Sequence, residues 1–392
     1  MTFRRVTLFA FVAAVSGTVF LLHSRTVTTP PIPEIRLLRT PNKGIQPQVV
    51  VDSEGMLHMI YFRGDASAGD IEYVRRAPGE KVFSSPIRVN SRLRSALAVG
   101  TVRGPQMALG REGRIYVVWF GSQKEPGGRN DPAPLFFSRL NDSGTAFEPQ
   151  RNLIQYANGL DGGLSVAADS RGNVFVVWHA RGDVPGEAHR RVYVARSTDD
   201  GRHFAREVPI SPASLGACGC CGMRAFVDHR GTLYVLYRAA AEGIHRDITL
   251  LLSPDQGQSF RVERLGPWNL NACPMSTEYL SEGGRKVLAA WETAGQVYFT
   301  TIDPRSQRIS SAFSAPGAAE GRKHPALAAN SRGQVLLAWT EGTSWEKGGA
   351  LGWQLFDAAG RPILPPGHAS GVPVWGLPSV FGDRQGNFTI VY

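Results

Sequence analysis

Apolar and polar residues alternate along this chain in short runs of about five residues, the period of two expected of β-strands. Pairs of runs flank Asp or Asn followed by Gly, as in SVAADSRGNVFVVWH and PALAANSRGQVLLAWT, which predicts a hairpin with a tight turn. The second run of each pair ends on Trp or Tyr, separated from the turn glycine by five residues: Gly55 with Tyr61, Gly113 with Trp119, Gly172 with Trp178, Gly231 with Tyr237, Gly333 with Trp339 and Gly386 with Tyr392. Gly284 with Trp291 is a seventh copy carrying one extra residue. The aromatics lie 58, 59, 59, 54, 48 and 53 residues apart, so one supersecondary unit is repeated along the chain.

Two more strand-like stretches follow most hairpins, for instance RVYVARS and then REVPI. Four short antiparallel strands per repeat describe a blade, and blades in a ring protect their edges, so the fold class is an all-β propeller. Six hairpins have room for two further strands; the seventh stops at its own aromatic. Residues 34–40, EIRLLRT, are the expected closing partner. Seven blades with a composite last blade is therefore favoured, and a six-bladed ring is the alternative.

Three turns after the third strands share a second pattern. Ser197, Asp199, Gly201 and Phe204 fit S-x-D-x-G-x-x-F, as do Ser253, Asp255, Gly257 and Phe260; a third copy keeps Asp142, Gly144 and Phe147 but has Leu140 at the serine position. The carboxylate is expected to accept backbone N–H groups while Gly turns the chain and the aromatic plugs the turn. These copies resemble the Asp box, or bacterial neuraminidase repeat, of sialidases and their relatives. The resemblance implies a sialidase-like propeller, a fold that also carries other glycosidases and proteins without known activity.

The repeat runs from about residue 45 to residue 392 without a linker, which argues for one propeller domain. Gly (44), Pro (26) and a 42% hydrophobic content agree with an ordered all-β chain. The N-terminus differs in kind. Arg4 and Arg5 precede residues 6–22, which carry no charge, so residues 1–25 are expected to be a secretory signal peptide or a signal anchor. Residues 26–44 supply a Pro-rich tether and the closing strand. The expected location is periplasmic or secreted, with inner-membrane anchoring through residues 6–22 as the alternative to cleavage. The expected assembly is a monomer.

A net charge of +10, mostly Arg, is spread over all repeats. No basic run with interleaved aromatics exists, so nucleic acid is not an expected partner. The charge suits a glycan or another anionic ligand. Up-and-down blades put the Asp boxes on one face, and the loops that lead into the inner strands or leave the aromatic positions on the other. That second face should gather Arg63, Asp65, Arg103, Asp161, His179, Arg181, Arg238, residues 245–247, Glu292, residues 322–324, Glu341 and Trp345. Sialidases, by resemblance, hold a substrate carboxylate with three Arg and pair a Tyr nucleophile with Glu, beside an Asp acid. Candidate substrate-binding residues are Arg103, Arg224, Arg246, Arg322, His179 and His324, and candidate acids are Asp65, Asp161, Asp247 and Glu292. The family's N-terminal F/Y-R-I-P signature is missing, YFRGD at residues 61–65 is no substitute, and no Tyr–Glu pair can be placed.

All four cysteines fall on the same face: Cys218, Cys220 and Cys221 in GACGCCGMR, and Cys273 in NACPMS. In an exported protein, disulfide bonding is the default, with Cys220 or Cys221 joined to Cys273 among three connectivities. A Cu(I) or Zn site with Cys273 as fourth ligand and His179 or His324 nearby is the alternative, as is a reactive thiol. The segment is similar to one in uncharacterised bacterial members of the sialidase-like group that carry CGCCG and CPMS. Three functions remain open: an exo-glycosidase acting on sialic acid-type or other anionic glycans, which requires no cofactor; a non-catalytic glycan- or envelope-binding propeller; and a metal or redox protein built on the cysteines. A periplasmic scaffold held by an N-terminal anchor is a fourth.

Overall fold

A computed structural model of the chain describes residues 32–122, 133–318 and 321–392. The proposed signal or anchor segment lies outside the described residues. So does all of the tether before Ile32. Residues Pro33–Tyr392 form one compact unit.

That unit is the expected seven-bladed, all-β propeller. Six sheets have four strands each in sequential order, and a seventh has three. The inner strands, in order around the ring, are Ile45–Val51, Gln106–Leu109, Leu164–Ala168, Met223–Val227, Tyr279–Gly283, Arg322–Ala329 and Ser379–Gly382. Each pairs antiparallel with the strand that leads to the repeat aromatic. The seven turn glycines all have positive φ, from +58° at Gly284 to +91° at Gly172, a conformation that costs glycine nothing. Asp or Asn ahead of them ties the turn: Asp228 Oδ1 accepts from the N–H groups of Arg230 and Thr232 at 2.9 Å each.

The repeat aromatics are the packing units of the ring. Trp119, Trp178, Trp291 and Trp339 are fully buried between sheets, where apolar area removed from water holds blade to blade. Neighbouring chain must make room for them. A Cβ on Gly352 would sit 2.6 Å from the Trp339 ring.

Two Asp boxes are built as expected. Gly257 N–H donates to Ser253 Oγ at 2.7 Å, Ser253 Oγ donates to Asp255 Oδ1 at 2.6 Å, and Ser259 N–H reaches the same carboxylate at 3.0 Å. Asp199 accepts from His203 N–H at 2.9 Å. Phe204 then packs edge-on against Phe137 of the preceding blade, at 5.0 Å between centroids. The third copy works differently. With Leu140 in place of serine, Asn141 Oδ1 takes the N–H of Thr145 at 2.9 Å, and Asp142 pairs instead with Arg114 at 2.6 Å.

The ring closes through Ile35–Leu38, which pairs with Phe388–Val391 in the register Ile35 to Phe388 and Leu38 to Val391. The closing partner is the expected stretch, but it runs parallel and completes a blade of three strands. Topology gives the reason. A parallel strand finishes on the loop face, where Ile45 must begin blade one, whereas an antiparallel one would finish on the opposite face. Ile35 and Leu38 pack against the adjoining cores, while Leu37 is 41% exposed. Leu38→Asp combined with Ile35→Asp should therefore lower stability by about 2–4 kcal/mol in urea unfolding, and Leu37→Asp by under about 0.5 kcal/mol. Equal effects from the two changes would mean that this strand does not close the ring.

Candidate functional site

Inner strands bring their side chains toward one axis, and Arg224 of blade four lies across it. Its Nη1 donates to the side-chain oxygens of Gln48 in blade one and Gln106 in blade two. Blades one and two do not adjoin blade four, so these bonds cross the centre of the ring. The guanidinium carbon also stands 4.9 Å from the centroid of Tyr279 in blade five. Arg224 is buried and, among the described residues, forms no ion pair with a carboxylate. Burial pulls its pKa below the usual arginine value, since the charged form loses water. On the hairpin side of Arg224 the axis opens into a cavity of about 470 Å³ walled by all seven inner strands. On the loop side the free space beside Arg224, Thr277 and His324 is only about 20 Å³.

Three other candidate arginines are engaged within the protein. Arg103 donates to Asp161 through Nη2 at 2.8 Å and to the Asp161 carbonyl through Nε at 2.7 Å. Arg246 pairs with Glu187 at 2.6 Å. Arg322 donates to Gln296 at 3.0 Å and lies 3.4 Å from Glu341. Their charges are balanced locally, so the structure does not gather the predicted arginines around one carboxylate-sized space. Arg103 and Asp161 do share a loop-face cleft of about 330 Å³ with Leu97, Phe120 and Leu160.

The candidate acids are likewise dispersed. Asp65 accepts from the N–H and hydroxyl of Ser67 at 2.8 Å each. Asp247 accepts from Trp268 N–H at 2.9 Å. Glu292 is buried, accepts from Gly295 N–H at 2.7 Å and lies 3.6 Å from Arg238. No tyrosine hydroxyl is hydrogen-bonded to a glutamate among the described residues.

The cysteines meet where the loops into blades four and five converge. Cys220 and Cys273 form a disulfide, while Cys218 and Cys221 are buried thiols. Their Sγ atoms are 3.2 Å apart, and Cys218 Sγ is 3.5 Å from Cys220 Sγ. The pairing takes Cys220 rather than Cys221, and it withdraws Cys220 and Cys273 from the four-cysteine metal set. Neither histidine completes such a set. His179 Nε2 accepts from Gly163 N–H at 2.7 Å, and His324 Nδ1 faces the Thr277 hydroxyl at 3.2 Å.

Sequence reasoning passed over several of the residues that matter here. Glu278 is buried with neither carboxylate oxygen hydrogen-bonded, and burial, with Cys221 beside it, pushes its pKa well above the carboxylate range. Gln48 and Gln106 each follow a proline at the head of an inner strand, a shared Pro-Gln signal that points to equivalent places in two blades. Glu187 left no local mark, because its partners Arg246 and Gly219 lie in another blade and its loop.

No family model and no curated protein matches the sequence. Solved structures do match. The Hadza microbial sialidase superposes with a TM-score of 0.51 at 15% identity, over 79% of this chain and 68% of its own. A protein of unknown function from Dyadobacter fermentans gives 0.51 at 13% identity, over 79% and 94%. The α-L-arabinanase of Penicillium chrysogenum, complexed with arabinobiose, gives 0.52 at 12% identity, over 84% and 98%. At these identities the likeness is one of fold alone, the seven-bladed propeller.

Two buried histidines set a pH dependence. Burial, reinforced by Arg190 at His179 and by Lys323 at His324, holds each pKa down to about 3. Unfolded histidine titrates at about 6.5, so between these values the unfolded chain binds protons that the native chain does not. Stability should fall as pH drops from about 6.5 toward about 3. His179→Gln and His324→Gln should each make the decline in the urea midpoint shallower, whereas an unchanged slope in both would show that they are already charged in the fold.

Proposed function

We propose that this chain is an exported propeller that binds an anionic glycan, with Arg224 as its anion anchor. The observation that carries this reading is a buried guanidinium on the axis with no carboxylate partner among the described residues, bordering a cavity of about 470 Å³. A buried charge left unpaired is costly, by several kcal/mol. An acidic sugar placed against Arg224 supplies the missing counter-charge. The volume falls in the range of ligand pockets, roughly 300–1,000 Å³. Only Nη1 of the three guanidinium nitrogens is hydrogen-bonded among the described residues, which leaves the rest of the fork for a carboxylate.

Export rests on Arg4, Arg5 and the uncharged residues 6–22. Binding without hydrolysis is favoured over sialidase chemistry because the other candidate arginines are paired internally and, among the described residues, no tyrosine is hydrogen-bonded to a glutamate. The ligand class is therefore defined by its charge, and sialic acid is one member of it.

Titration calorimetry with sialyl, glucuronate and neutral oligosaccharides tests this, alongside fluorogenic glycosides of the same sugars. Acidic sugars should bind and remain uncleaved. Arg224→Gln should weaken binding roughly 10- to 100-fold, the worth of a charge-assisted hydrogen bond, while the thermal midpoint shows that the ring persists. Equal binding of neutral sugars, or an Arg224→Gln variant that binds as well as the parent, would remove Arg224 as the anchor. Turnover of a fluorogenic sialoside would restore the hydrolase.

A further inference from the structure

Three cysteine sulfurs, those of Cys218, Cys220 and Cys221, lie within 4.8 Å of one another. Cys220 is consumed by its disulfide, yet Cys218 and Cys221 remain thiols in contact at 3.2 Å, both almost completely buried. Met275 packs against the same cluster. Its backbone is held at φ 49°, a conformation uncommon for a side-chain-bearing residue, in the turn that leads into blade five. Two thiols thus lie in contact, with the Met275 side chain packed against their cluster, which includes Ala240.

We propose that Cys218 and Cys221, completed by the Met275 thioether, bind one Cu(I) ion while Cys220 and Cys273 stay disulfide-bonded. Soft thiolate and thioether donors favour Cu(I), which is satisfied by two or three of them. Zn(II) takes four donors in structural sites. With Cys220 and Cys273 joined and both nearby imidazoles engaged with Gly163 and Thr277, a Zn(II) ion would have to draw on the Glu278 carboxylate beside Cys221, an oxygen donor that Cu(I) does not need. Binding breaks two S–H bonds and forms two Cu–thiolate bonds, with the neutral Met275 thioether as a third sulfur donor. Two protons leave to solvent, copper stays Cu(I) and no electron is transferred. The resulting site carries one net negative charge. Arg246 and Arg238 lie within electrostatic reach of Cys218, and the Cys218 N–H donates to the Arg238 carbonyl at 2.9 Å. Cys273 is exposed and its disulfide partner Cys220 is buried, so the disulfide runs from the surface to the cluster and marks the proposed entry for copper.

Copper binding stands apart from glycan binding, since Arg224 takes no part in it. The purified full-length chain, kept anaerobic, is titrated with Cu(I) buffered by bicinchoninate. One equivalent should be withdrawn from the chelator. Cys218→Ser and Cys221→Ser should each abolish uptake, Met275→Leu should weaken it roughly tenfold, and the Cys220→Ser/Cys273→Ser double variant should keep one equivalent. X-ray absorption of the copper-loaded parent chain should show sulfur alone around the metal, a readout that does not depend on any variant folding. The proposal is overturned by no uptake with both thiols titratable, by a nitrogen or oxygen shell, by uptake that survives both serine variants, or by a Cys218–Cys221 disulfide in protein isolated from exporting cells.

Discussion

Closure of the ring is the constraint on which the rest of this structure depends. Each blade buries its apolar faces only against two neighbours, so an open ring would leave two sheets facing water. In the seventh blade, Ile35–Leu38 pairs over the whole length of Phe388–Val391. Backbone bonds continue the join on both sides, from Phe388 N–H to the Glu34 carbonyl at 2.9 Å and from Thr40 N–H to the Tyr392 carbonyl at 3.0 Å. Closure by strands so far apart in sequence couples both ends of the domain to every blade between them.

A closed ring creates an axis, and seven inner strands do not fill it with apolar side chains alone. Here Arg224 spans the gap to Gln48 and Gln106, dividing a wide hairpin-side cavity from a nearly filled loop side. The same geometry explains why the loop face holds so many internal ion pairs. Arg103, Arg246 and Arg322 reach carboxylates on neighbouring loops or strands, and a partly buried charge is retained where a partner lies at hydrogen-bonding distance. Arg224 has no such partner among the described residues, and that difference separates it from arginines of identical sequence character.

The cysteines show a comparable division of labour within four residues. One sulfur clamps the loop into blade four to the loop into blade five, and the two that flank it are turned inward together. Buried groups crowd beneath them: Arg238, Glu292 and the unpartnered Glu278. The environment of thiols so enclosed is set by charge and packing rather than by exposure.

Local pattern was enough for the repeat, the hairpins, the Asp boxes at Ser197 and Ser253, the closing stretch and the face on which the cysteines meet. Each rests on interactions among residues close in sequence, or on a period that the chain repeats. Only the tertiary structure decided that the closing strand runs parallel, that Asn141 replaces Asp142 in the third turn, and that Cys220 rather than Cys221 is bonded to Cys273. It also decided which arginines are neutralised, because Glu187 and Arg246, like Arg224 and Gln48, lie in different blades and meet only through the curvature of the ring. Sequence spacing specifies how a blade is made. Which charges remain unpaired depends on distances across the axis, and those exist only once the ring has closed.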